Sequence, residues 1–230
     1  MPDRRNNPTV EEKSLIRRQV RAARSSLSPH ERSMKSHALC TKLGRILGLA
    51  QEKEEDASAV TAHMLADDAA TVGAALPEGS TIALYAAFND EASLDELIGL
   101  CHRGAMKVAL PCMNPKGSDR PMDMRAVSRS AWNDGAVPFV NDPLTRLSAD
   151  DETLAPFPLV APDAIDAIIV PLVAFDGQRR RLGYGGGNYD AYLPLLSEGC
   201  IVIGAAFAEQ RVARVPAESH DLPLPAIVYA

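Results

Sequence analysis

AIDAIIVPLVAFDGQRRRLGYGGGNYD, residues 164–190, runs from an apolar segment into a glycine-rich loop. Residues 164–170 are rich in Ile and Val and too short for a helix, which suits a strand buried on both faces. Helix-compatible sequence follows over residues 189–196, and a second apolar run occupies 200–206. Strand, loop, helix and strand form one crossover unit, so the fold predicted is α/β: a mostly parallel sheet flanked by helices. In open sheets of this kind ligands bind at the carboxyl ends of the strands, where the glycine loop lies.

The same alternation continues upstream. Residues 81–87 and 106–111 read as buried strands with a helix from Leu94 to Arg103 between them, and Ile227 to Tyr229 as a further edge strand. Residues 114–162, rich in Pro, Asp and Ser, are expected to hold loops with one or two short strands. At the N-terminus Ile16, Val20, Ala23 and Leu27 recur at helical spacing, giving a helix from about Glu11 to Leu27 that packs on a core. Ser28, Pro29 and Glu31 then supply an N-cap, a first-turn proline and a capping-box acid for a second helix reaching about Gly48. The Ala-rich, acidic stretch 51–79 lacks clear periodicity and reads as an irregular or partly helical insertion. The expected organisation is one domain over residues 8–230, with 1–7 as a flexible tail.

Composition narrows the function classes. The chain has 230 residues, 46% hydrophobic and 23% charged, as in a folded globular protein. No run approaches a membrane span and the N-terminus opens on charged residues, so a cytoplasmic protein without membrane partners is expected. Cys40, Cys101, Cys112 and Cys200 match neither a disulfide framework nor a zinc-ligand spacing, and reduced core cysteines are expected. A net charge of −6 argues against nucleic acid as a partner. Yet residues 1–35 carry nine Lys and Arg against four Asp and Glu, which leaves room for a local anion site.

Gly183, Gly185, Gly186 and Gly187 allow close backbone approach to an anion, and phosphate is the natural guest. Neither the G-x-G-x-x-G nor the P-loop pattern is present. Arg181, adjoining the glycines, is placed to grip phosphate oxygens, whereas Arg179 and Arg180 read as solvated. Asp190 ends the motif where a carboxylate beside phosphates can hold magnesium. Lys13, Arg17, Arg21 and Arg24 form one cationic stripe along the first helix, which by itself is no more than a solvated face. Glu91 follows the strand at 81–87, with Asn89 and Asp90 as cap residues for the next helix, and His220-Asp221 offers a second carboxylate for metal.

Taken together these segments resemble the 5-formyltetrahydrofolate cyclo-ligase family, in Lys13-x-x-x-Arg17, in Arg24-x-x-Leu27-Ser28-x-x-Glu31-Arg32, in Asn89-Asp90-Glu91, in the segment from Val170 to Asp190, and in Glu218-x-x-Asp221-x-Pro223. The resemblance implies an ATP- and magnesium-dependent ring closure of 5-formyltetrahydrofolate to the 5,10-methenyl form through phosphorylation of the formyl oxygen. It implies ATP contacts from Lys13, Arg17, Arg181, Gly183, Tyr184, Gly185, Gly186, Gly187, Asn188 and Tyr189, with Arg181 catalytic. Folate contacts follow for Glu91, Tyr184 and Asn188, and magnesium ligands at Asp190 and Asp221. Family members usually carry an aromatic residue where Asn188 stands and a Thr where Leu94 stands. The expected partners are reduced folate and ATP, and the expected state is a monomer. Two alternatives stand beside this reading: a nucleotide- or folate-binding paralogue without catalysis, and an isomerase or transferase of phosphorylated sugars.

Overall fold

The computed structural model describes residues 8–49, 60–66, 75–216 and 223–230. Helix α1 spans Pro8–Ser25 and α2 spans Pro29–Ile46, separated by the turn that Ser28 opens. There the Ser28 Oγ accepts the Glu31 amide at 3.2 Å and a Glu31 carboxylate oxygen accepts the Ser28 amide at 2.8 Å, the reciprocal cap read from the sequence.

The strands in chain order are β1 (His63–Ala66), β2 (Thr81–Ala83), β3 (Lys107–Met113), β4 (Met122–Val127), β5 (Leu159–Val160), β6 (Ala167–Pro171), β7 (Ala174–Phe175), β8 (Arg181–Leu182), β9 (Ile201–Ala206) and β10 (Ala226–Tyr229). The remaining α-helices are α3 (Asp95–Arg103), α4 (Arg129–Asn133), α5 (Pro138–Asn141) and α6 (Asn188–Tyr192). One sheet has the order β1-β10-β9-β6-β2-β3-β4-β5, and β7 pairs with β8 as a separate hairpin. The five inner strands from β10 to β3 are mutually parallel, and β1, β4 and β5 join antiparallel at the two margins.

Period-2 alternation sorts the sheet into two packed faces. Ile82, Leu84, Val108, Leu110 and Ile169 turn toward α2 and α3, where Leu39, Leu43, Leu97 and Ile98 are fully buried. Each of these leucines contributes about 1.5–3 kcal/mol by leaving water. Ala83, Ala109, Ile168 and Val170 face Tyr192 of α6 on the other side, and the two alanines leave room for its ring. Helix α1 packs on neither face. Its Val20 meets Val173, Ala174, Leu182 and Val215, so it lies against the β7–β8 hairpin beside the glycine loop.

Four sequence expectations need correction. Ile227–Tyr229 is not an edge, because β1 pairs outside it, from His63↔Tyr229 to Ala66↔Ala226. That outer strand lies in the stretch read as an irregular insertion, most of which falls outside the described residues. The strand expected over 81–87 stops pairing early: only Ile82 and Ala83 face β6, at Ala167 and Ile168, while β6 runs on to Pro171 alongside β9. The helix expected over 189–196 has a single α turn, Asn188–Tyr192, before a 3₁₀ turn at Leu193–Leu195, so its dipole adds little at the glycine loop.

Candidate active site

The early parting of β2 from β6 opens a crevice. From β2 the chain crosses through α3 to β3 on one side, and from β6 it crosses through α6 to β9 on the other. The boundary is therefore a topological switch point, the place where open α/β sheets bind ligands. Two loops face each other across it, residues 84–94 after β2 and residues 172–187 after β6.

On the β6 side Lys13 and Arg17 of α1 join Arg181, Tyr184, the glycines, Asn188, Tyr189 and Asp190 around a cleft of about 160 Å³. Gly185 and Gly187 have φ of 100° and 67°, and this left-handed backbone keeps residues 183–187 tight against α1. Arg17 Nε donates to the Gly183 carbonyl at 2.8 Å, and its Nη2 would lie 3.5 Å from a Cβ at position 185. The cation is thus built into the wall. Burial lowers the Arg17 pKa, but a guanidinium stays charged in proteins. Arg181, with its side chain 9% exposed, is ion-paired to Asp190, whose side chain is 63% exposed at the rim.

On the β2 side a cavity of about 660 Å³ is bounded by Ser36 and Cys40 of α2, Ala86 and Glu91 of the β2 loop, and Trp132 and Val140. Burial raises the Glu91 pKa, opposed by the Tyr184 hydroxyl, which donates to Oε1 at 2.6 Å, and by the Phe88 amide, which donates to Oε2 at 2.9 Å. Burial also pushes the Cys40 thiol up to about 12, so it remains protonated.

Tyr184 lines the cleft and, through its hydrogen bond to Glu91, links it to the cavity. Asn188 lines the cleft, where Nδ2 contacts the Met113 sulfur at 3.6 Å, and is absent from the lining of the Glu91 cavity. Asp90 caps nothing: Leu94 stands at the N-cap of α3, and Asp90 instead pairs with Arg24 at 2.6 Å. Arg24 is 2% exposed, so the stripe on α1 is no solvated face there. Nor are Arg179 and Arg180 simply solvated, since Arg179 Nε donates to the Leu224 carbonyl at 3.0 Å and Arg180 pairs with buried Asp176 at 2.6 Å. Both contacts join residues too far apart or too locally turned for spacing to reveal. Asp221 lies outside the described residues. Among the described residues no group of three or more His, Cys, Asp and Glu converges as a metal site.

The family model described as the 5-formyltetrahydrofolate cyclo-ligase family matches residues 9–230. The chain is 30% identical over 149 residues to a 5-formyltetrahydrofolate cyclo-ligase of Escherichia coli K12, spanning 64% of this chain and 76% of that one. It is 29% identical over 148 residues to the protein of that name from Haemophilus influenzae, spanning 64% and 74%. A solved 5,10-methenyltetrahydrofolate synthetase from Mycoplasma pneumoniae superposes with a TM-score of 0.62 at 21% identity, over 94% of this chain and 97% of that one. The corresponding structure from Aquifex aeolicus gives 0.61 at 22% identity, over 94% and 89%. At these identities the structures establish the fold.

Proposed function

The chain belongs to the 5-formyltetrahydrofolate cyclo-ligase family, and from that premise we propose that it closes 5-formyltetrahydrofolate to 5,10-methenyltetrahydrofolate with conversion of ATP to ADP and phosphate. The observation that carries the reading is a cation-lined, glycine-walled cleft beside a larger mixed cavity at one switch point, linked by the hydrogen bond from Tyr184 of the cleft to Glu91 of the cavity. ATP is assigned to the cleft and the folate to the cavity beside Glu91 and Trp132.

In the proposed reaction the formyl oxygen attacks the γ-phosphorus and the bond to the β-phosphate breaks, releasing ADP. The N10 nitrogen then attacks the activated carbon, N10 loses its proton, and the carbon–oxygen bond to phosphate breaks as the methenyl bridge forms. Phosphoryl transfer of this kind relies on positioning and on charge stabilisation. Lys13 and Arg17 hold the phosphates from α1, the glycine backbone lets them approach closely, and Arg181 meets charge that grows at the transferring group. The rim carboxylate of Asp190 would hold a magnesium ion, which would supply charge neutralisation to the nucleotide phosphates. With magnesium bound, Asp190 would be the described carboxylate that holds it, and Arg181, now paired with Asp190, would be the cation left for phosphate.

Incubation with 5-formyltetrahydrofolate, ATP and magnesium tests the reading by the near-ultraviolet absorbance of the methenyl product, which is expected only when all three are present. Undiminished product in excess chelator sinks the metal assignment. Nucleotide binding without product favours the non-catalytic paralogue, and turnover of sugar phosphates favours the third reading.

Arg181→Lys is expected to lower kcat about tenfold, roughly 1.4 kcal/mol, because an ammonium cannot reproduce the guanidinium fork. Arg179→Lys should leave kcat near wild type and act through the Leu224 contact on stability. Steady-state kinetics on both variants decide it, and a change at Arg181 confined to KM for ATP reduces that residue to a binding contact.

A further inference from the structure

Arg24 is the largest fully buried side chain of the described residues, yet the phosphate cleft does not include it. Its Nη2 donates to Asp90 Oδ1 at 2.6 Å and to the Tyr184 hydroxyl at 3.0 Å, and its Nε is buried without a hydrogen-bond partner. Its buried guanidinium ties α1 to Asp90 and Tyr184.

The chain of hydrogen bonds has a fixed direction. Arginine has no acceptor, so the Tyr184 oxygen must accept from Arg24 and its proton must point elsewhere. It points to Glu91 Oε1, 2.6 Å away, while the Phe88 amide takes Oε2. Both oxygens of Glu91 are therefore held as acceptors, and the carboxylate presents its remaining lone pairs to the cavity. On the same helix Arg17, two turns away and about 10 Å along the axis, grips Gly183, the neighbour of Tyr184.

We propose that Arg24 is a positioning residue for the folate side of the site, acting through the Tyr184 hydroxyl to orient Glu91, so that α1 fixes both compartments as one rigid piece. The inference rests on the assignment of folate to the Glu91 cavity. The charged and titratable groups near Glu91 include Arg24 of α1, Asp90 and Tyr85 of the β2 segment, and Tyr184 and Tyr189 of the glycine segment, with Arg32 and Cys40 of α2 lining the same cavity. Arg24 is the cation joined to Glu91 through Tyr184, and its removal leaves burial and the Asp90 carboxylate to disfavour the charged Glu91.

Trp132 is the chain's single tryptophan and lines the cavity, so its fluorescence reports ligand entry without turnover. Titration with 5-formyltetrahydrofolate is compared for wild type, Arg24→Lys, Tyr184→Phe and the double variant, with ATP titrated separately. Tyr184 is 46% exposed, so Tyr184→Phe keeps the fold even if Arg24→Lys melts early. Each single variant is expected to weaken folate binding about tenfold, and Arg24→Lys, whose side chain lies outside the cleft, should keep the ATP affinity within twofold of wild type. The double variant should bind folate no worse than Tyr184→Phe alone, because the hydroxyl through which Arg24 acts is already gone. The acid limb of kcat/KM should move to higher pH in both single variants. Additive losses in the double variant, or equal losses of ATP and folate in Arg24→Lys, overturn the proposal. A wild type that binds folate at Trp132 without product would fault the assigned reaction and leave the positioning test intact, whereas no binding at Trp132 overturns the positioning role itself.

Discussion

Arg17→Ala is expected to lower kcat/KM by about 100-fold or more, with KM for ATP affected more than KM for folate. Two contacts go together. The bond from Nε to the Gly183 carbonyl clamps the glycine loop to α1, and the outer face of the same guanidinium supplies charge to the cleft. A charge-assisted hydrogen bond contributes about 1.5–3 kcal/mol, so losing two gives at least about 3 kcal/mol, or two orders of magnitude. Because alanine is the best helix former, α1 should persist, and loss of the clamp on Gly183 should lower the melting temperature by only about 3–10 °C. Arg17→Lys keeps the charge but not both geometries, and should fall between. The measurement is steady-state kinetics with each substrate varied in turn. Equal losses for ATP and folate would contradict the assignment of Arg17 to the phosphate side.

The contrast between Arg17 and Arg24 shows what sequence can reveal about such a site. Seven residues apart on one helix, they belong to one stripe by spacing, and spacing carries no information about the far partner. Arg17 meets a loop 166 residues on, and Arg24 meets Asp90 and Tyr184, 66 and 160 residues on. The helical period tells which face is cationic, whereas folding decides that one end of it is buried. The centre of the sheet was legible for the opposite reason: strands buried on both faces are apolar, and β6, β9 and β3 beyond its exposed Lys107 are such runs. The outer strand β1, HMLA, is half-exposed and only four residues long, too short for periodicity to register. The β7–β8 hairpin escaped as well, since two-residue strands flanking DGQRR look like a charged loop. The glycine segment could be located but its register could not, because that register is set by Arg17 and Tyr184 from outside the segment.

That hairpin leads to the second large effect. Asp176 is 1% exposed and holds the turn together: it accepts the Gln178 amide at 2.9 Å, the Arg180 amide at 3.2 Å, the Arg180 guanidinium at 2.6 Å, and the Val215 amide at 2.9 Å. Asp176→Ala removes the acceptor of three amides and of the Arg180 guanidinium; water reaches the exposed Gln178 and the half-buried Arg180, so the cost should be about 2–4 kcal/mol. For a chain of this length that corresponds to a fall of roughly 10 °C in melting temperature. Burial by itself would raise the Asp176 pKa, but the Val215 amide, the Arg180 side chain and the two turn amides outweigh it, and the net shift is downward. The unfolded chain therefore binds this proton more tightly than the folded one. The stabilisation is complete above the ordinary aspartate pKa of about 3.9 and is lost as pH falls through it toward the folded value. Denaturant melts at several pH values should show the gap between wild type and Asp176→Ala wide at pH 7 and narrowing below about pH 4. Since β8 opens at Arg181 directly after this turn, the variant should also lose activity at temperatures well below its melt. A melting curve at pH 7 within about 1 kcal/mol of wild type would mean that the Asp176 turn is not what anchors Arg181 and the glycine loop.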